Sequence, residues 1–164
     1  MKIELKKLKV FESGSQETYC FTAELWVDGR YQGSVRNDGQ GGSHIISPPS
    51  LEAQINEWGK TLPPRKIPGI DDPVHQDAES LINDIVSAYV AKKELQQLLR
   101  KNIIFTKTDA KGVYEVGPKA PDMILAFVQN QQQQREFRDY FKVDKILNLL
   151  PFDEALQVYM EKAG

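Results

Sequence analysis

Thr18-Tyr19-Cys20-Phe21-Thr22-Ala23-Glu24-Leu25-Trp26-Val27, followed at once by Asp28-Gly29, is the stretch that decides the fold class. Tyr19, Phe21, Ala23, Leu25 and Val27 face one way and the residues between them the other, a period of two that specifies a half-buried strand. Asp28 and Gly29 both accept positive φ, which a tight hairpin turn requires. Residues 31–36 therefore return as a second strand, with Tyr31, Gly33 and Val35 on one face. Gly33 weakens that strand unless another group packs closely over it. Upstream, residues 2–11 carry Ile3, Leu5, Leu8 and Val10 in an alternation interrupted at Lys6-Lys7, the pattern of a bulged strand. The three strands make an antiparallel meander that ends at Asn37-Asp38-Gly39-Gln40-Gly41-Gly42, with Ser43 and His44 behind it.

Beyond that turn, Ile45-Ile46 begin a short strand that Pro48-Pro49 stops. Ser50 is the expected N-cap of a helix over residues 51–60, with Leu51, Ile55 and the core anchor Trp58 on one face. Residues 62–73 hold Pro63, Pro64, Pro68 and Pro73 with Gly69, a proline-rich connector of extended or turn geometry. Asp72-Pro73 pairs an N-cap with a first-turn proline, so the longest helix is expected over residues 74–99. Its stripe of Ala78, Leu81, Ile82, Ile85, Val86 and Tyr89 continues to Leu95 and Leu99 and fits a layer against the sheet.

Residues 102–106 and 113–116 flank Asp109-Ala110-Lys111-Gly112 and read as a second hairpin. Pro121-Asp122 open a helix with Ile124, Phe127 and Val128, and Phe137, Tyr140 and Phe141 follow. The glutamine-rich tract between is the exposed middle of one helix or the break between two. Residues 143–150 read as a last strand, and Phe152, Leu156, Tyr159 and Met160 give a C-terminal helix its apolar face. The expected fold is a single α+β domain over 1–164: an N-terminal antiparallel β-meander plus a second hairpin, packed against a long central helix with shorter C-terminal helices.

The 164 residues carry a formal charge of −2, and the pI of about 5.7 argues against broad nonspecific nucleic-acid binding, which needs many phosphate-neutralising side chains. Cys20 is the sole cysteine and reads as a packed free thiol. The first seven residues lack a secretory h-region, and no apolar run reaches the roughly 20 residues of a membrane span. The expectation is a cytoplasmic protein without a membrane partner.

The turn at 37–44 is the one place to look for a site. Its glycines allow sharp bends and close approach, and Asn37 and Asp38 can bond their own backbone two residues on. Such a bend can turn N–H groups inward as an anion-binding nest; the same composition also builds a plain structural corner. Gly39-Gln40-Gly41-Gly42 lacks the trailing Lys-Ser or Lys-Thr of a Walker loop and the spacing of a dinucleotide fingerprint. His44 and His75 have no zinc-ligand spacing. No catalytic residue, metal ligand or cofactor is assigned; the closest acid–base grouping joins Asp38 and His44 with Asp71 or Asp72. Lys2, Lys6, Lys7, Lys9, Arg30 and Arg36 share the sheet with Trp26 and Tyr31, a composition that suits single strands and equally suits edge protection.

The series Cys20-Phe21-Thr22-Ala23, Leu25, Val27-Asp28-Gly29, Gly33, Asn37-Asp38-Gly39 and Gly41-Gly42 resembles a pattern of small uncharacterised proteins of bacteria and their mobile elements, over roughly residues 12–45. The resemblance implies an origin and no activity. The functional expectation is a noncatalytic binding or accessory protein, of bacterial, phage or mobile-element origin. Its partner contacts Asn37, Asp38, Gly39, Gly41, Gly42 and His44, a protein before a small anion and either before nucleic acid. The alternatives are a small enzyme or ligand-binding protein with an anion or metal around Asn37, Asp38 and His44, and a single-strand binder on the basic sheet face.

Overall fold

A computed structural model of the chain describes residues 1–67 and 69–163. The α+β architecture expected from the sequence is present, with two antiparallel sheets and five α-helices among the described residues. The chain divides into two compact units, Met1–Ser87 and Ala88–Gly164.

In the first unit, β1 (Ile3–Val10), β2 (Cys20–Val27), β3 (Arg30–Asp38) and β4 (Ile45–Ser47) pair in that order. Phe21, Ala23, Leu25 and Val27 are buried, as the alternation requires. Asp28 and Gly29 take φ of 49° and 77° and close the β2–β3 hairpin. The irregularity in β1 falls between Lys6 and Lys9, where Lys7 has a φ of 51°.

Tyr31 corrects one expectation. Leu25 pairs with Gly33 but Trp26 pairs with Tyr31, so Gln32 is an extra residue on β3. A bulge restarts the period of two. Tyr31 thus leaves the face of Gly33 and Val35, stands 57% exposed, and meets Trp26 edge-on with ring centroids 6.2 Å apart. Gly33 is held close, as expected: a Cβ there would strike the Ser47 carbonyl and the Pro48 ring.

The helix after β4, α1 (Pro49–Gly59), starts earlier than Ser50 predicts. Pro48 is the N-cap residue and Pro49 enters the first turn, where a fixed φ helps and a missing N–H loses nothing. Leu51, Ile55 and Gly59 are buried, while Trp58 is half-buried. The proline-rich connector is pinned: Arg65 and Val74 exchange backbone hydrogen bonds of 2.8 Å, and the Arg65 guanidinium pairs with Asp84. Pro68, part of that connector, lies outside the described residues.

The long helix α2 (Ala78–Lys101) begins four residues later than Asp72-Pro73 predicts. Val74 is bonded to Arg65 through both its N–H and its carbonyl, which keeps it out of a helix. Asp77 supplies the cap instead: Ser80 N–H donates to Asp77 Oδ1 at 2.8 Å, and Asp77 N–H donates to Ser80 Oγ at 3.0 Å. Ala78, Ile82 and Val86, four residues apart, bury one stripe of its first turns.

The second unit takes residues 88–101 of α2, then β5 (Ile103–Lys107), β6 (Tyr114–Val116), α3 (Pro121–Gln129), α4 (Gln131–Phe141), β7 (Val143–Ile146) and α5 (Phe152–Ala163). Its sheet has the order β6-β5-β7. Three consecutive apolar residues serve the central strand because both of its faces are covered. Ile104 packs with Leu95, Leu147, Ala155 and Val158; Ile103 and Phe105 pack with Ile124, Phe127 and Ile146. The glutamine tract resolves into two helices. The break is Asn130, whose side chain accepts from Gln133 N–H at 3.0 Å and caps α4.

The expected strand over 143–150 is cut at Ile146, and Leu147–Leu149 turn as a 3-10 helix. The reason is Asn148, whose amide donates to the Leu99 and Asn102 carbonyls at 3.2 and 3.0 Å and whose Oδ1 accepts Ile104 N–H at 2.8 Å. Those bonds need the chain to curl.

Gly33→Ala is expected to lower stability by about 1–3 kcal/mol, since overpacking against backbone forces β4 to shift. Gly42→Ala, whose Cβ would meet nothing within 4 Å, should change it by less than about 0.5 kcal/mol. Urea unfolding of the two variants beside the parent checks the pair.

Candidate functional site

The turn between β3 and β4 is built outward from Asn37. Strand alternation sends its side chain inward, where it is 3% exposed. Its Oδ1 accepts from Gly39 N–H at 2.8 Å and from Thr18 Oγ1 at 2.9 Å. Its Nδ2 donates to the Gly42 carbonyl at 2.7 Å and lies 3.1 Å from His44 Nδ1. The carboxamide thus fixes both ends of the turn.

Gly39 is buried, with a φ of 81°, and a Cβ on it would strike the Gly14 carbonyl. Its own carbonyl accepts from the N–H groups of Gln16 and Glu17, each at 3.0 Å, and of Thr18 at 3.4 Å. Three successive amides do converge here. They belong to residues 16–18, and the oxygen they hold is the protein's own. A cleft of about 350 Å³, lined by residues 15–19 and Asn83, lies beside this clasp.

His44 is buried against the edge of Phe21, with ring centroids 5.1 Å apart. Its backbone N–H donates to Glu79 Oε2 at 2.7 Å, and Glu79 Oε1 lies 3.4 Å from Nδ1. Burial pushes the imidazole below its ordinary range, against the pull of the Glu79 carboxylate, the Asn83 side chain and Asp77. Nδ1 faces both the Asn37 carboxamide nitrogen and the Glu79 carboxylate. Nε2 is buried and makes no hydrogen bond among the described residues.

The six residues singled out by the sequence therefore divide. Asn37, Gly39 and His44 form the inside of the turn, while Asp38, Gly41 and Gly42 are exposed. The Asp38 carboxylate lies 3.7 Å from Arg36 Nη1. The carboxylate beside His44 is Glu79, not Asp38, Asp71 or Asp72. No cluster of three or more His, Cys, Asp or Glu that could hold a metal occurs among the described residues. Sequence reading missed the clasp at 14–18 and Glu79. Glu79 becomes visible only once the start of α2 is fixed at Ala78.

The open sheet face mixes charges. Lys2 pairs with Glu4 at 3.0 Å and Lys7 with Glu24 at 2.6 Å. The Lys7–Glu24 hydrogen bond raises the lysine pKa and lowers that of the carboxyl. Lys6 Nζ stands 3.5 Å over the Trp26 ring. No helix among the described residues is long and apolar enough to cross a membrane.

Comparison with protein-family models, curated proteins and solved structures finds no match to the chain.

Asn37→Ala should destabilise the protein by about 1–3 kcal/mol, because buried donors and acceptors lose their partner. A folded-state imidazole held below the ordinary value of 6.5 binds protons less readily than the unfolded chain's, so stability is fully present above that value. It falls as pH drops from there through the folded-state pKa. Urea unfolding at a series of pH values is expected to show this decline in the parent and a shallower one in His44→Asn.

Proposed function

We propose that the protein is a noncatalytic binding or accessory protein whose first unit offers the turn at 37–44 to a protein partner. The observation that carries this reading is the use of Asn37. All the hydrogen bonds of its carboxamide are spent on Thr18, Gly39, Gly42 and His44, so the exposed residues 38 and 40–43 stand on a preformed support. A preordered loop loses little conformational freedom on binding. The exposed part of the turn neighbours the cleft at residues 15–19, so a partner could engage both.

Two features favour a protein over the other partners. The convergent amides of residues 16–18 are taken by the Gly39 carbonyl, which weighs against a small anion there. Lys2, Lys7 and Arg36 each lie beside an acidic side chain, and Lys6 covers one face of Trp26, which weighs against stacked single strands. His44 and Asn37 are buried and turned toward each other, a poor arrangement for acid–base work on a substrate. A bacterial, phage or mobile-element origin and a cytoplasmic setting belong to the same reading.

The test compares the parent with an Asp38→Lys/Gly42→Glu variant, both immobilised and exposed to an extract of the source cells. Recovery of the retained protein should fall by at least about tenfold, equivalent to ~1.4 kcal/mol, with circular dichroism and melting unchanged. Equal recovery on both supports would remove the turn as the binding element.

A further inference from the structure

The second unit contains a different kind of concavity. Between α3 and α4, beside β5 and β6, lies a cleft of about 490 Å³, within the range of roughly 300–1,000 Å³ typical of small-ligand sites. Its apolar wall includes Ile103, Val116, Phe127, Phe137 and Phe141. The wall is already packed from behind. Phe137 meets Phe105, Phe127 and Phe141 with ring centroids 5.2, 5.3 and 4.7 Å apart. The rim is not: Met123 is exposed, and Tyr140 is 81% exposed and touches only the edge of Phe141 among the described aromatic rings.

Two charged residues line the same cleft, and they differ. Glu136 is exposed and accepts a hydrogen bond from Gln132 Nε2 at 3.1 Å. Lys119 is half-buried, and its ammonium has no ion-pair partner among the described residues. A lysine at the edge of an apolar cleft can lay its methylene stem along the wall and hold out its ammonium to an anionic group. The aromatic wall asks for an apolar body and Lys119 asks for one negative charge.

We propose that this cleft binds a small amphipathic carboxylate, with an aromatic or alkyl body against Phe127 and Phe137 and its carboxylate on Lys119. A neutral hydrocarbon fills the wall and leaves Lys119 unpaired. A dianion brings a second negative charge toward Glu136. The site therefore selects a single carboxylate.

The probes are 4-phenylbutyrate and octanoate, each beside the alcohol of the same length, titrated calorimetrically into the full chain. Saturable binding of a carboxylate is expected, with its alcohol at least about tenfold weaker. Rising salt should weaken the carboxylate and leave the alcohol unchanged. Lys119→Met should bring the carboxylate down to the level of the alcohol, and Tyr140→Ala should weaken both, with melting temperatures unchanged. No saturable binding of either carboxylate, or equal binding of acid and alcohol, overturns the proposal. So does sedimentation showing self-association that Tyr140→Ala abolishes, because a second copy would then be the occupant.

Discussion

The first unit turns on one buried carboxamide. A primary amide withdrawn from water must find partners for two acceptor sites and two donors or carry the cost of their desolvation. Asn37 finds all four within reach, and they come from three separate parts of the chain: Thr18 before β2, Gly39 and Gly42 in the turn, and His44 at the start of β4. His44 passes the connection on, since its backbone N–H is held by Glu79 in the first turn of α2. The β1–β2 loop, the β3–β4 turn and the start of α2 are thereby joined through Asn37 and His44. Apolar packing of Phe21, Leu25, Val35 and Ile46 gives the sheet its stability, but packing is non-directional. The carboxamide is what gives the turn one shape.

How far the sequence could be read depends on the range of the interaction involved. The alternation over 20–27 and the Asp28-Gly29 turn are local, and both appear in the structure as read, whereas Tyr19, counted on the same face, lies ahead of β2 and is exposed. So does the buried run at 103–105, whose residues divide between two cores because successive side chains point to opposite faces. The misreadings occur where a distant partner overrides a local preference. Asp72-Pro73 is a good helix start taken alone, but Val74 pairs with Arg65 and postpones the helix to Asp77. Residues 143–150 look like strand throughout, yet Asn148 has partners at Leu99, Asn102 and Ile104 that it reaches only by curling. Tyr31 is the local exception: counting in twos puts it on the face of Gly33 and Val35, and a single extra residue at Gln32 reverses the count.

The same distinction explains the candidate site. That Asn37 bonds the backbone two residues on is a local property of its type, and it does so to Gly39. That Glu79 stands beside His44 is a relation across 35 residues, and no spacing within the turn announces it. The glycines could supply convergent amides, but these occur instead at residues 16–18, where the loop before β2 closes around the Gly39 carbonyl. A glycine-rich composition specifies that the chain can bend; the rest of the unit decides which atoms the bend exposes.

The glycines of the turn then have unequal roles despite equal appearance. At Gly39 a side chain is forbidden twice, by a φ of 81° and by the Gly14 carbonyl lying against it. Gly42 faces open space, so nothing in the fold requires the absence of a side chain there. Gly42 is held in place by Asn37 through its carbonyl while its α-carbon faces outward. The fold thus fixes the location of that residue through its carbonyl and leaves its α-carbon in the open, whereas at Gly39 both the backbone angle and the space are consumed internally.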